Sequence, residues 1–382
     1  MADDTRLRYT SRPEDLRPHN QLTPLRDGGE TYPAMLAAIA GATDYVHLET
    51  YILKADSIGE RFAEALIERA QAAVTVRVIF DSFGSFGISD EFIDRMRDAG
   101  VQVAEYNPIA PWRKRFALMR RDHRKILVVD GKVGFTGGLN IGEDYASVAD
   151  GGGGWRDTHV RVEGQIVGDL ARLFHQTWLK CGRDEYPVPN ETETDAQAVG
   201  DVLARVVNNR EFRQRFRFRR AYRHAIRGAQ RSIDITNAYF LPGILLRRAL
   251  RKAVERGVTV RVIVPGKSDV ALVQLACEHL YKKFLKAGMQ ILEWPDQMVH
   301  AKTAVIDGTW ATIGSYNLDN QSLLQNLEVA VAAVDTEFAE RLQAEFDRDL
   351  DACEAVTLDY CKSRGWWRRV KCWFAFRFRR WL

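Results

Sequence analysis

Apolar positions along this chain follow two periods that alternate, and the whole alternation occurs twice. Val74-Thr75-Val76-Arg77-Val78-Ile79 and Val258-Thr259-Val260-Arg261-Val262-Ile263 are near-copies rich in β-branched residues, the composition of strands buried in a sheet. Each follows a stretch whose apolar residues recur on a helical period, Arg61 to Ala72 and Leu245 to Arg256. Upstream, Tyr45 to Tyr51 and Ile233 to Tyr239 read as paired strands. Downstream, Ala99-Gly100-Val101-Gln102-Val103 matches Ala287-Gly288-Met289-Gln290-Ile291, and Lys125 to Val129 and Thr303 to Ile306 add a further buried strand to each half. Strand, helix, strand, helix, strand, strand, met twice, predicts an α/β protein of two pseudo-symmetric halves. Each half should be a mixed central β-sheet flanked by helices, packed like a dimer fused into one chain.

The boundaries follow from composition. Asp184 to Ala198 holds two prolines and the polar run Asn190-Glu191-Thr192-Glu193-Thr194, which predicts a linker. The expected division is therefore a first half over 1–188, a second over 189–360 and a basic tail over 361–382. The 382 residues suffice for two domains of ordinary size.

The chemistry sits in a motif that is also doubled. His123, Lys125, Asp130, Gly137 and Asn140 recur as His300, Lys302, Asp307, Gly314 and Asn317, each 177 residues later. Two half-sites imply one active site at the joint. Histidine and lysine are two apart, so on a strand both point to one face. Imidazole can attack or carry a proton near neutral pH, lysine supplies positive charge, and the asparagine amide adds a donor. Doubled, this makes a cationic cradle for a phosphodiester. No metal or other cofactor is expected, because no histidine pair stands at ligand spacing beside a carboxylate cluster. Asp130 and Asp307 belong to the catalytic motif, and their place just past the apolar strands suggests that they hold sheet and loops together.

The halves differ before their histidines. His123 lies seventeen positions after Tyr106, but His300 only six after Trp294. The extra segment, with Trp112, Arg113, Lys114, Arg115, Phe116, Leu118, Met119, Arg120 and Arg121, is basic and apolar together. It is expected to enter the site and meet an anionic, apolar substrate. The Gly151 to Gly154 run suggests a mobile loop.

The formal charge of +4 hides an asymmetry: Cys361 to Leu382 holds eight Lys or Arg and no acid, leaving the body mildly acidic. The five cysteines show neither zinc nor disulfide spacing. No apolar run is long enough to span a bilayer, and Met1 to Asn20 lacks an apolar signal region.

The pattern His-x-Lys-x4-Asp-x6-Gly-x2-Asn, present twice, resembles the phospholipase D superfamily. The resemblance implies two-step covalent catalysis: His123 attacks phosphorus to form a phosphohistidine, and His300 acts as general acid and base. It also implies a carboxylate orienting each imidazole, for which Asp157 and Glu328 stand at the right distance past Asn140 and Asn317. Gly137 to Tyr145, Trp155-Arg156-Asp157-Thr158-His159, Leu48 to Ile52, Asn237 to Gly243 and Gly314 to Asp319 are similar to bacterial cardiolipin synthases, from about Gly28 onward. The closest likeness is to the subtype lacking N-terminal transmembrane helices. It implies phosphatidyl transfer between two phospholipids, with phosphatidylglycerol as donor. A phospholipase D-like hydrolase or a headgroup-exchange transferase is the alternative; a nuclease or a non-catalytic membrane-binding protein is more remote.

On that reading the tail is the membrane anchor. Trp367, Val370, Phe374, Phe378 and Trp381 follow one helical face, with Arg368, Arg369, Arg379 and Arg380 on the other. A second basic stretch, Arg210 to Arg227, is expected to open the second half as a helix. The expected partners are phosphatidylglycerol, other anionic phospholipids and a membrane surface, with no nucleic acid. The expected location is peripheral, on the cytoplasmic face of a bacterial inner membrane.

Overall fold

The computed structural model describes residues 5–109, 120–186, 199–209, 216–295 and 297–379. The strands, in chain order, are β1 (Arg17–Arg26), β2 (Tyr45–Thr50), β3 (Thr75–Asp81), β4 (Gln102–Tyr106), β5 (Ile126–Val129), β6 (Val133–Gly137) and β7 (Thr158–Gly164) in the first half. The second half supplies β8 (Val202–Asn208), β9 (Ser232–Asn237), β10 (Thr259–Pro265), β11 (Gln290–Trp294), β12 (Lys302–Ile306), β13 (Trp310–Gly314), β14 (Val329–Val334) and the short β15 (Glu354–Ala355).

The two expected sheets are joined into one. Its order is β15-β11-β10-β9-β12-β13-β14-β8-β1-β7-β6-β5-β2-β3-β4, which reads the same from either side of a β8–β1 seam, apart from β15. In each half the three parallel strands (β2, β3, β4 or β9, β10, β11) carry the β-branched runs, and the antiparallel strands lie toward the seam. Parallel strands covered on both faces need such continuous apolar sequence. The seam has an irregular register between Arg17 and Asn20. Asn20 satisfies it: its amide donates to the carbonyls of Arg17 (2.7 Å), Pro18 (3.0 Å) and Val202 (3.1 Å), and its Oδ1 accepts from the Ile166 N–H (2.9 Å).

Beyond the seam, β6 and β7 lie against β13 and β14. One core cluster therefore draws on both halves, with Ile126, Val128, Val160 and Val162 from the first and Val305, Ile313, Val329 and Val331 from the second. Polar contacts reinforce the junction. Arg26 meets Glu345 (2.5 Å) and Asp349 (2.8 Å), and Arg156 meets Asp349 (2.8 Å) and Asp27 (3.3 Å). Glu345 and Asp349 come from the helix Thr336–Ala352 of the second half, whereas the arginines belong to the first.

One structural asymmetry lies just behind the repeated motif. Arg124 is buried and bonded to Glu49 (3.0 Å), Asp122 (3.1 Å) and the Thr177 hydroxyl (2.6 Å). Its counterpart is Ala301, set in an apolar cluster of Ile263, Val299 and Phe346. An ion network and a hydrophobic cluster thus fill equivalent places, as expected where a buried ion network and a well-packed apolar group can be energetically comparable.

The helix Arg217–Gly228 does open the second half, burying Phe218 and Tyr222; residues 210–215 lie outside the described residues. So do 110–119, most of the extra segment before His123, and most of the expected linker. The Gly151 to Gly154 run is a bonded turn, contrary to the expected mobile loop. Gly152, Gly153 and Gly154 donate to the carbonyls of Ser147 (2.9 Å), Glu143 (2.8 Å) and Ala146 (2.9 Å). A Cβ at Gly152 would come within 2.4 Å of Ala146, so glycine is needed for close packing.

Candidate active site

Each histidine segment is fastened by backbone hydrogen bonds to the opposite half. The His123 N–H donates to the Leu327 carbonyl (3.0 Å), and the Leu327 N–H donates to that of Arg121 (2.8 Å). In the twin arrangement His300 donates to Arg156 (2.6 Å), and Arg156 to Met298 (2.9 Å). The residue after each of these partners is an acid, so the carboxylates cross between the halves. His123 Nδ1 lies 3.1 and 3.2 Å from the two oxygens of Glu328, and His300 Nδ1 lies 2.7 Å from Asp157 Oδ2. With Nδ1 committed to a carboxylate, Nε2 is the nitrogen left to react.

The carboxylates are themselves held by twin contacts. Asp27, directly after β1, accepts the Asp157 N–H (2.8 Å), and Asn209, directly after β8, accepts that of Glu328 (2.6 Å). The side chains around them then diverge. A Cβ at Gly138 would stand 2.0 Å from Asp157 Oδ1, so that position admits only glycine. Its counterpart, Ser315, donates its hydroxyl to Glu328.

Lys125 Nζ donates to the His123 carbonyl (2.8 Å), and Lys302 Nζ donates to that of His300. Burial lowers the Lys125 pKa to about 7, with Lys302 adding repulsion. Burial also lowers Lys302 to about 8. Both imidazoles are shifted down as well: His123 by burial and the nearby lysines against the pull of Glu328, and His300 by burial and Lys302 against that of Asp157. Burial pushes the Asp157 carboxyl up, but His300 and Lys302 more than offset this and hold it below its ordinary value. The centre is thus positively charged or poised to become so, and it brings neutral imidazoles to neutral pH. Tyr51 packs 5.0 Å from the His123 ring, and Tyr145 and Trp155 pack 5.5 and 5.7 Å from that of His300.

Other expected residues fall elsewhere. Asp130 and Asp307 lie at the far ends of β5 and β12 from the histidines. Asp130 accepts from the backbone of Thr43, Asp44 and Tyr45, and Asp307 from that of Gln230, Arg231 and Ser232. Both sit in the left-handed region, with φ of 52° and 57°, which aspartate tolerates better than bulkier residues. They tie turns together and do not enter the centre, so their inclusion among catalytic groups is corrected. Asn140 spends its amide on the Tyr145 hydroxyl (2.6 Å) and its oxygen on the Ile52 N–H (3.1 Å), and so is not a free donor. The Asn317 Oδ1, by contrast, is buried without a hydrogen-bond partner. Arg121, expected to meet substrate, is buried against Asp81 (3.4 Å) and the Asn107 carbonyl (3.2 Å).

In the tail, the helix Trp366–Arg377 docks on the helix Ala271–Lys286 through buried Cys372 and Ala375. Arg368 is no free headgroup ligand, because it pairs with buried Glu278 (2.7 Å), as does Arg364 (2.8 Å). The aromatic face stays open: Trp367 is 64% exposed and Phe374 56%, with Trp366, Val370, Trp373 and Phe378 also exposed. Arg369 is exposed, and Arg380 and Trp381 lie outside the described residues. Asp27, Asn209 and Ser315 carried no signal in the sequence, since only the topology brings them to the carboxylates.

A family profile described as "Cardiolipin synthase, PLD-like domain" matches residues 35–178 and 222–350. The chain belongs to this phospholipase D-like family. Probable cardiolipin synthase YwiE of Bacillus subtilis (strain 168) is 34% identical over 92% of this chain and 70% of its own length. Cardiolipin synthase B of Escherichia coli (strain K12) is 34% identical over 95% of this chain and 89% of its own length. The crystal structure of phosphatidylserine synthase from Haemophilus influenzae Rd KW20 shares the fold, with a TM-score of 0.74 at 12% identity over 95% of both chains. Family and fold make this member of the cardiolipin synthase family a phosphatidyltransferase of phospholipase D type.

Proposed function

We propose that the crossed histidine centre joins two phospholipids, transferring the phosphatidyl group of phosphatidylglycerol to a hydroxyl of a second phospholipid. The observation that carries this reading is the pair of imidazoles, each oriented through Nδ1 by the other half's carboxylate. In the first step Nε2 of His123 attacks phosphorus, the bond to the glycerol oxygen breaks, and His300 gives that oxygen a proton. The arriving phosphodiester brings a negative charge, which opposes the effects that hold His300 neutral and lets it take up that proton. In the second step His300 removes a proton from the incoming lipid hydroxyl, whose oxygen displaces His123 from phosphorus. One phosphodiester replaces another, so no external energy source is needed. Lys125 and Lys302 bind the phosphoryl oxygens and stabilise the charge that builds there.

The lipids come from a membrane surface, and the exposed aromatic face of the terminal helix is the proposed contact, with the protein peripheral on the cytoplasmic face of the inner membrane. Exposed tryptophan and phenylalanine beside basic residues suit the bilayer interface. No helix among the described residues is long and apolar enough to cross a membrane. The test is lipid mass spectrometry of purified protein with phosphatidylglycerol vesicles. Cardiolipin and glycerol should form together, and His123→Ala and His300→Ala should each abolish both. Phosphatidic acid as the sole product would replace transfer with hydrolysis.

A further inference from the structure

Joining two phospholipids poses an electrostatic problem that the histidine centre does not solve. The centre neutralises the phosphate under attack. The acceptor carries a phosphate of its own, which must be held elsewhere, near apolar surface for its chains.

A cleft of about 710 Å³ opens beside the second-half motif. Leu241, Pro242, Ile244 and Leu324 form apolar walls, and Arg247 and Arg379 enter it from opposite elements. It adjoins the centre through the chain: the Leu241 N–H donates to the Leu318 carbonyl (3.1 Å), one residue past Asn317. The terminal segment closes its edge, with the Asn320 amide donating to the Arg379 carbonyl (2.8 Å).

The arginines have no counter-charge among the described residues. Arg247 Nε is buried without a hydrogen-bond partner, and burial and the neighbouring Arg379 both depress the Arg247 pKa. Among the described residues the Arg379 side chain donates to the Phe376 carbonyl (3.2 Å), with its guanidinium 4.5 Å from the Phe376 ring. His279 stacks on that ring at 4.5 Å, and its pKa is lowered by burial and by the same two arginines. Cations gathered around one aromatic ring with no acid between them are stabilised by an anion. The apolar walls restrict which anion fits.

We propose that this cleft binds the phosphate and proximal chain of the acceptor phospholipid, with Arg247 and Arg379 as the phosphate ligands. The proposal rests on the two-lipid reading above and adds the place where the second lipid lies. Neither arginine belongs to the histidine centre, so the donor half-reaction should not need them.

The test compares two reactions of Arg247→Gln with those of the unaltered protein. Exchange of labelled soluble glycerol into phosphatidylglycerol uses one lipid, whereas cardiolipin formation uses two. The variant should keep glycerol exchange within about twofold and lose cardiolipin formation by tenfold or more. That selective loss also excludes a folding defect. Equal loss of both reactions, or loss of neither, overturns the proposal. So does saturable binding of inorganic phosphate alone that the variant abolishes, since the cleft would then serve free phosphate. If the unaltered protein exchanges glycerol but makes no cardiolipin, the two-lipid reading itself has failed, which is a different result.

Discussion

Replacing Asp157 by asparagine should disable His300, although the two residues belong to opposite halves. The amide can keep the Nδ1–H contact, now 2.7 Å, and the Asp27 bond to the backbone remains, so geometry is largely preserved. What disappears is a buried negative charge beside the imidazole that must become positive in the first step. Charges about 4 Å apart interact by about 4 kcal/mol at an effective dielectric near 20. At about 1.4 kcal/mol per decade, transfer should slow by roughly a thousandfold. Rapid-quench turnover of labelled phosphatidylglycerol measures the rate. Proton NMR of the imidazole Nδ1–H resonances tests the crossing directly: Asp157→Asn should perturb only the His300 signal, and Glu328→Gln only that of His123. The same substitution also changes the pH dependence of stability. The folded Asp157 pKa is depressed below its ordinary 3.8, so the carboxylate stabilises the fold above that value and its contribution fades as pH falls through the folded pKa. The variant should therefore lose less stability on acidification. Near-wild-type turnover in Asp157→Asn, or a perturbed signal on the wrong histidine, would refute the crossed mechanism.

Three further outcomes follow from the same contacts. Because burial brings Lys125 to about pKa 7 and Lys302 to about 8, both lose charge as pH rises through that range. KM for phosphatidylglycerol should therefore climb between pH 7 and 9, and Lys125→Met should remove the lower transition from the KM–pH profile. Asp349→Ala leaves Arg156 and Arg26 short of a buried partner and should cost about 3–5 kcal/mol in urea unfolding, whereas exposed Glu337→Ala should cost under about 0.5 kcal/mol. Trp367→Ser/Trp373→Ser/Phe374→Ser should lower cosedimentation with phosphatidylglycerol vesicles without unfolding the helix. Substitution is the cleaner test because truncation before Arg364 would strip the partners from buried Glu278; unchanged sedimentation would remove the aromatic face as anchor.

The doubled strands were legible because each half writes its parallel strands in β-branched residues, and β3 and β10 are almost the same sentence. The imidazoles and lysines were legible from identical spacing. Asp157 and Glu328 could be named from the family resemblance, but not which histidine each serves. That depends on backbone bridges between Arg121 and Leu327 and between Arg156 and Met298, contacts between residues remote in the chain. The same holds for Asn209, Asp27 and the Arg247–Arg379 cleft. The turn-holding part of Asp130 and Asp307 was legible from their place just past the apolar strands; only their grouping with the catalytic residues, which rested on motif position, fails. In the tail, helical spacing identified the aromatic face, but Arg368 was claimed by Glu278, an acid hidden in the middle of another helix.

The crossed pairs also differ in a way that bears on the proposed roles of the two histidines. Glu328 takes a hydroxyl hydrogen bond from Ser315 besides its contacts of 3.1 and 3.2 Å with His123. Part of its charge is thereby neutralised by a donor that does not titrate. Asp157 has no such hydroxyl, since Gly138 stands in the place of Ser315; it accepts the Thr158 N–H on Oδ1 (2.7 Å) and meets His300 through Oδ2 at 2.7 Å. A carboxylate in closer contact with its imidazole better stabilises an imidazolium. His300 is therefore better suited to hold a proton once the substrate's charge arrives, and His123 to remain neutral and attack. The phosphorylated residue should then be His123. Alkaline quenching with labelled lipid, followed by peptide mapping, should find the label there, and Asp157→Asn should slow its discharge to the acceptor. Label on His300 would reverse the two roles while leaving the crossing intact.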